Sequence, residues 1–179
     1  MGNPTEQVVT ILRRVDIFDN LSAVQYDLIA YLCHEDRPQT GTILFREQEQ
    51  SDDLYVIAAG GVEVLVDTSV IVASDASRPE ERVLTELREG QVFGEVALVD
   101  QGIRSASIRI SRPNTYLLRI PRKQLIALCD TYPALGYRIM RNLAAELALK
   151  LRNSGLTFRE FQLSLSKHES AERGGENAP

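Results

Sequence analysis

From Thr40 to Ile120 the apolar residues come in short runs, TILF, LYVIAA, VEVLV, RVLTEL, ASIRI and TYLLRI, with glycine, proline or aspartate between them. Runs of this kind read as β-strands, and their succession predicts a rolled antiparallel barrel. Gly60 and Gly61, between LYVIAA and VEVLV, suit a tight hairpin that needs positive φ. Between Asp67 and Glu81 the sequence DTSVIVASDASRPEE reads as a solvated loop, although Val70 to Val72 could extend a strand.

On either side of that span the period becomes helical. Val8, Val9, Ile11, Leu12 and Val15 predict a short amphipathic helix. Asp19, Asn20 and Ser22 supply turn and N-cap chemistry before a second helix, AVQYDLIAYL. After Ile120, RKQLIALCDTY is a helix stopped by Pro133, whose ring suits the first turn of the next one. In that next helix Leu135, Ile139, Leu143, Leu147 and Leu151 form one stripe, and Asn153, Ser154 and Gly155 read as its C-cap. The domain is therefore expected over 1–153, with helices in 5–34, barrel in 38–120 and helices in 121–153. Residues 154–179 are left as a C-terminal lid segment followed by a disordered tail.

Within the barrel, Leu87 to Ser107 (LREGQVFGEVALVDQGIRSAS) stands apart. Glu95 to Val99 can make little more than one helical turn, whose first backbone N–H groups have no intrahelical partners. Such an end attracts an anion. Arg104, returning beyond a Gln101–Gly102 turn, could add a permanent positive charge, and Ser105, Ala106 and Ser107 are small enough for close backbone approach. These residues alone allow two readings: a phosphate cradle with Glu95 beside it to accept a hydroxyl, or a turn closed by a surface ion pair.

Composition narrows the function classes. A net charge of −5 gives no electrostatic footprint for duplex nucleic acid. No apolar run approaches membrane-spanning length, and MGNPTEQVVT lacks signal-peptide features, so a soluble cytoplasmic protein is expected. Cys33 and Cys129 read as buried free thiols, and no Cys/His cluster has metal spacing. His34, at a predicted helix end, and His168, in the tail, have no nucleophile placed to cooperate with them, so no enzyme is expected.

The order Leu87-x-x-Gly90-x-x-Phe93-Gly94-Glu95-x-Ala97-Leu98, then Arg104-x-Ala106-Ser107, closely resembles the phosphate-binding cassette of the cyclic nucleotide-binding domain family. Gly41-x-Ile43-x-Phe45-Arg46-Glu47 and Asp52-x-Leu54-Tyr55-x-Ile57-x-x-Gly60-x-Val62-x-Val64 resemble the family's first hairpins, and the likeness runs from about Leu12 to Asn153. Gln48 departs from it, standing where the family commonly has glycine. The resemblance implies an α+β, mainly β fold: an antiparallel jelly-roll barrel with short N-terminal helices, an inserted cassette helix and C-terminal helices.

It also implies a site. Glu95 would accept the ribose 2′-hydroxyl and Arg104 would bind the phosphate. Gly94, Val96 and Ala97 would supply or permit backbone contacts, with Ser105 and Ala106 at the phosphate and Val64 and Leu84 lining the base. The base would be closed over by the end of the long helix and the segment after it, Leu147, Lys150, Leu151, Phe158 and Phe161 being the candidates. The ligand implied is cyclic AMP or cyclic GMP, with no cofactor and no metal. Adenine readers of the catabolite activator type carry a hydroxylated pair where this chain has about Lys150 and Leu151.

The expected function is a stand-alone sensor that binds a cyclic purine mononucleotide, cyclic AMP ahead of cyclic GMP, and signals through its C-terminal helix to a protein partner. No DNA-binding domain is expected in the short stretch after Asn153. A homodimer through residues 135–151 is expected. The alternative is a domain of this fold that has lost its ligand and serves as an interaction or dimerisation module.

Overall fold

The computed structural model describes residues 6–67, 81–100 and 103–175; side chains from 156 onward lie outside the described residues. The loop expected between Asp67 and Glu81 and the turn expected at Gln101–Gly102 also lie outside them. The chain forms two units, Met1–Asn142 and Leu143–Pro179.

The first unit opens with α1 (Glu6–Leu12), a 3-10 turn (Asp16–Phe18) and α2 (Ala23–Ala30). Ser22 caps α2 in a full capping box: its Oγ accepts from Gln25 N (3.3 Å), and Gln25 Oε1 accepts from Ser22 N (2.9 Å). Among the described residues eight strands come next: β1 (His34–Asp36), β2 (Ile43–Phe45), β3 (Leu54–Ala59), β4 (Gly61–Asp67), β5 (Glu81–Arg88), β6 (Val92–Phe93), β7 (Ser107–Ile110) and β8 (Tyr116–Ile120). Helix α3 (Glu95–Asp100) is inserted between β6 and β7, and α4 (Arg122–Thr131) and α5 (Pro133–Gly175) complete the chain.

Two four-stranded antiparallel sheets result, ordered β1-β8-β3-β6 and β2-β7-β4-β5. That order is a jelly roll, as expected. The core between the sheets takes Phe45, Tyr55, Ile57 and Val62 from the first half of the roll and Phe93, Ile108, Ile110 and Leu117 from the second. The alternate positions Leu54, Val56, Leu118 and Ile120 are equally buried, so the sheet containing β3 and β8 is covered on both faces.

Several expectations are corrected. Strand β3 pairs with β6 and β8 while β4 pairs with β5 and β7, so Gly60 does not close a hairpin. It takes the chain from one sheet to the other. Its φ is positive (82°) as expected, and the constraint is tertiary too, because a Cβ there would meet Thr115 Cα at 2.7 Å. His34 does not end a helix but opens β1, so the roll begins at 34 rather than 38; its three residues exist as a strand through their pairing with Leu117–Arg119. Leu84, one of the two residues expected to line the base, is 66% exposed at a bulge on an edge strand.

Helix α5 does not end at Asn153. Ser154 Oγ donates to Lys150 O (3.0 Å), satisfying itself inside the helix instead of capping it, and the helix runs to Gly175. Residues 166–175, expected as a disordered tail, are helical. Along this helix Leu135 and Ile139 are fully buried in the single chain, whereas Leu149 and Leu151 are 56% and 75% exposed. No helix among the described residues is long and apolar enough to cross a membrane. Cys33 and Cys129 are free thiols; burial pushes Cys33 up to about 12, which leaves it an inert thiol at neutral pH.

Gln48 holds φ of 66°, the conformation that favours glycine. Gln48→Gly is therefore expected to stabilise the protein by about 1 kcal/mol in a urea titration. An unchanged or lowered midpoint would show that the side chain offsets the backbone strain.

Candidate ligand-binding site

Strand β6 delivers the chain to Gly94, whose φ of 80° turns it into α3. The absence of a side chain there has a second cause: a Cβ would lie 2.5 Å from Arg104 Nη1 and 2.7 Å from Asp53 O. Glu95, the first residue of α3, is buried (7% exposed), as are Ala97 and Leu98, while Val96 is half-buried. The last turn of the helix is tied to α4, since Leu98 O accepts from Arg122 Nε (2.9 Å).

Arg104 is the centre of the site and is only 2% exposed. Its main chain is clamped to the loop before β3, with Arg104 N donating to Glu49 O (3.1 Å) and Gln48 N donating to Arg104 O (2.8 Å). Its guanidinium lies 3.9 Å above the Phe45 ring and 5.8 Å from the Tyr55 ring. Tyr55 in turn stacks on Phe93 with centroids 5.0 Å apart and planes 2° from parallel. Nε donates to Ser51 Oγ (2.6 Å) and Nη2 to Asp53 O (3.0 Å).

Nη1 is buried without a hydrogen-bond partner among the described residues. A buried donor left unpaired costs about 1–3 kcal/mol, more on a charged group, so this nitrogen marks where an acceptor would be most strongly stabilised. Both hydrogen-bonded acceptors on the guanidinium, the Ser51 hydroxyl and the Asp53 carbonyl, are neutral. Desolvation accordingly pulls the Arg104 pKa below its ordinary value, partly opposed by Tyr55, Asp53, Asp52 and Glu49. A neighbouring anion would oppose that shift directly.

The expected site residues are thus only partly brought together. Gly94 and Arg104 are in direct apposition, and Glu95, Val96 and Ala97 come after Gly94 in the same turn. Ser105 is exposed and Ala106 half-buried. Ser107 has a structural task, its Oγ accepting from Glu47 N (2.9 Å). Val64 packs against the inter-sheet core, but the exposed Leu84 does not. In the second unit Leu147 and Lys150 are half-buried, Lys150 pairs with Glu146 (3.0 Å), and Leu151 is exposed; the side chains of Phe158 and Phe161 lie outside the described residues.

Residues 36–132, more than half of the chain, match the cyclic nucleotide-binding domain family. The chain belongs to that family. Among curated proteins, this cyclic nucleotide-binding domain is 33% identical over 141 residues to the cyclic AMP receptor protein of Thermus thermophilus, covering 78% of this chain and 59% of that protein. It is also 33% identical over 132 residues to the cGMP-dependent protein kinase, isozyme 1, of Drosophila melanogaster, covering 70% of this chain and 16% of the kinase. Among solved structures, the Thermus thermophilus catabolite activator protein superposes with a TM-score of 0.65 at 28% identity, covering 82% of this chain and 63% of that one. The chain thus spans less than two thirds of the length of these relatives.

Four residues of this cyclic nucleotide-binding domain were missed by reading the sequence: Ser51 and Asp53, which hold the guanidinium, and Phe45 and Tyr55, which lie under it. Ser51 and Asp53 are 53 and 51 positions from Arg104, so no local spacing could reveal them.

Proposed function

We propose that this chain binds a cyclic purine mononucleotide, cyclic AMP ahead of cyclic GMP, as a non-catalytic cytoplasmic sensor. The observation that carries the reading is the buried Arg104 guanidinium, whose Nη1 faces Gly94 without a partner among the described residues. A singly charged cyclic phosphate supplies the acceptor and the charge which that nitrogen lacks. Glu95, buried at the same turn, is the acceptor for a ribose hydroxyl. Preference for cyclic AMP is supported by the Thermus receptor, which is matched over more of this chain than the fly kinase at the same identity.

Melting the protein with each nucleotide tests the reading. At a hundredfold excess over Kd the ligand should add about 2.7 kcal/mol, with the larger shift at equal concentration for cyclic AMP. No shift with either nucleotide would favour a domain that has lost its ligand.

The same proposal makes α5 the reporting element toward an unidentified protein partner. A homodimer through residues 135–151 draws on their exposed apolar side chains, Tyr137, Leu149 and Leu151, because Leu135 and Ile139 are buried. Light scattering at micromolar concentration should then return a dimer mass that Leu151→Glu reduces to a monomer. A monomer mass for the wild-type protein with and without nucleotide would remove the dimer from the proposal.

A further inference from the structure

Arg119, on β8, lies outside the cassette, and its side chain bonds to Asp53 and Asp36. It pairs in register with Tyr55, two residues beyond Asp53. From there Nη1 donates to Asp53 Oδ2 (3.1 Å) and Nε to Asp36 Oδ2 (3.2 Å), so one guanidinium ties the start of β3 to the end of β1. All three side chains are partly exposed, 33% for Arg119, 24% for Asp53 and 38% for Asp36, with Asp53 the most shielded of them. Asp53 is held at two points: its carboxylate accepts from Arg119, and its main-chain carbonyl accepts from Arg104 Nη2.

We propose that Arg119 is a positioning residue for nucleotide binding: by fixing Asp53, it holds the Arg104 guanidinium so that Nη1 stays aimed beside Gly94. This rests on the reading of Arg104 as the phosphate ligand. Residue 53 lies just before β3, and its carboxylate and its main-chain carbonyl are held by two different guanidinium groups, those of Arg119 and Arg104. Phe45 fixes the plane of the Arg104 guanidinium by stacking, and Ser51 fixes Nε. Rotation within that plane is resisted by the Asp53 carbonyl. Preorganisation of this kind acts through an outer residue whose loss leaves the inner one present but badly aimed.

The variants Arg119→Met and Asp53→Asn separate this from a general loss of order. Calorimetric titration with cyclic AMP should show affinity falling about tenfold in Arg119→Met, the value of one charge-assisted hydrogen bond. In an Arg104→Leu background the same change should have no further effect, because an interaction that works through Arg104 cannot outlast it. Asp53→Asn, which removes the charge pairing but keeps the carbonyl, should resemble Arg119→Met. Equal losses in both backgrounds, or none in either, overturn the proposal. A second measurement does not involve nucleotide: the Arg104 Nε–H proton, bonded to Ser51, should exchange slowly in the wild-type protein and faster in Arg119→Met. The Arg109 Nε–H, bonded to Glu63 (2.9 Å), should be unchanged in both. Arg104 protection that survives the substitution refutes the positioning role. If the wild-type protein binds no cyclic nucleotide, the functional reading fails and proton exchange alone decides the positioning.

Discussion

Arg104→Leu should lose about 2 to 5 kcal/mol of cyclic nucleotide binding while leaving the protein folded. The two halves of that result have one origin. Arg104 is 2% exposed and carries a buried nitrogen without a partner among the described residues, so in the free protein it is a desolvated charge incompletely compensated. Leucine removes the unpaired donor and still covers the Phe45 ring, leaving only Ser51 Oγ and Asp53 O to find other donors. With nucleotide bound the balance reverses, because the phosphate then loses its charged partner in a site where water cannot replace it. Glu95→Ala should lose less, since a hydroxyl is left unaccepted rather than a charge uncompensated. Calorimetry of the three proteins with cyclic AMP gives the ranking. Wild-type affinity in Arg104→Leu would rule out the phosphate assignment.

Gly94→Ala should damage both the fold and the site, and its comparison with Gly90→Ala separates strain from function. Both glycines hold positive φ, 80° at Gly94 and 86° at Gly90, so each alanine costs about 1–3 kcal/mol of backbone strain. At Gly90 the new methyl meets only Arg14 O at 3.8 Å, an ordinary contact. At Gly94 it would stand 2.5 Å from Arg104 Nη1 and 2.7 Å from Asp53 O, so the guanidinium or the loop must move. Urea denaturation should therefore show Gly90→Ala destabilised and Gly94→Ala destabilised more. Binding should be retained in the first and reduced by more than tenfold in the second, an amount equal to at least one charge-assisted hydrogen bond. Equal binding by the two variants would mean that Nη1 is not where the ligand sits.

Features with a local cause were legible in the sequence. Gly60 announces positive φ, and Ser22 announces the start of a capped helix, because in each case cause and effect lie within a few residues. The partner of a strand is not local. Gly60 reads as a hairpin turn, yet β3 and β4 pair with strands distant in the chain and belong to different sheets. Strands β1 and β6, three and two residues long, are too short to show a period of two. Ser154 and Gly155 carry C-cap chemistry by composition, but the hydroxyl bonds back to Lys150 O and α5 continues. In the site, Gly94, Glu95 and Arg104 lie in one readable stretch. Ser51, Asp53 and Arg119 reach it only through the fold.

The most direct test of the central claim is a crystal structure of the protein with cyclic AMP. A phosphate oxygen should lie about 2.7–2.9 Å from Arg104 Nη1, the distance of a charge-assisted hydrogen bond, with the ribose 2′-hydroxyl on the Glu95 carboxylate. Nucleotide bound elsewhere, or bound with Nη1 turned away from the phosphate, would contradict the account.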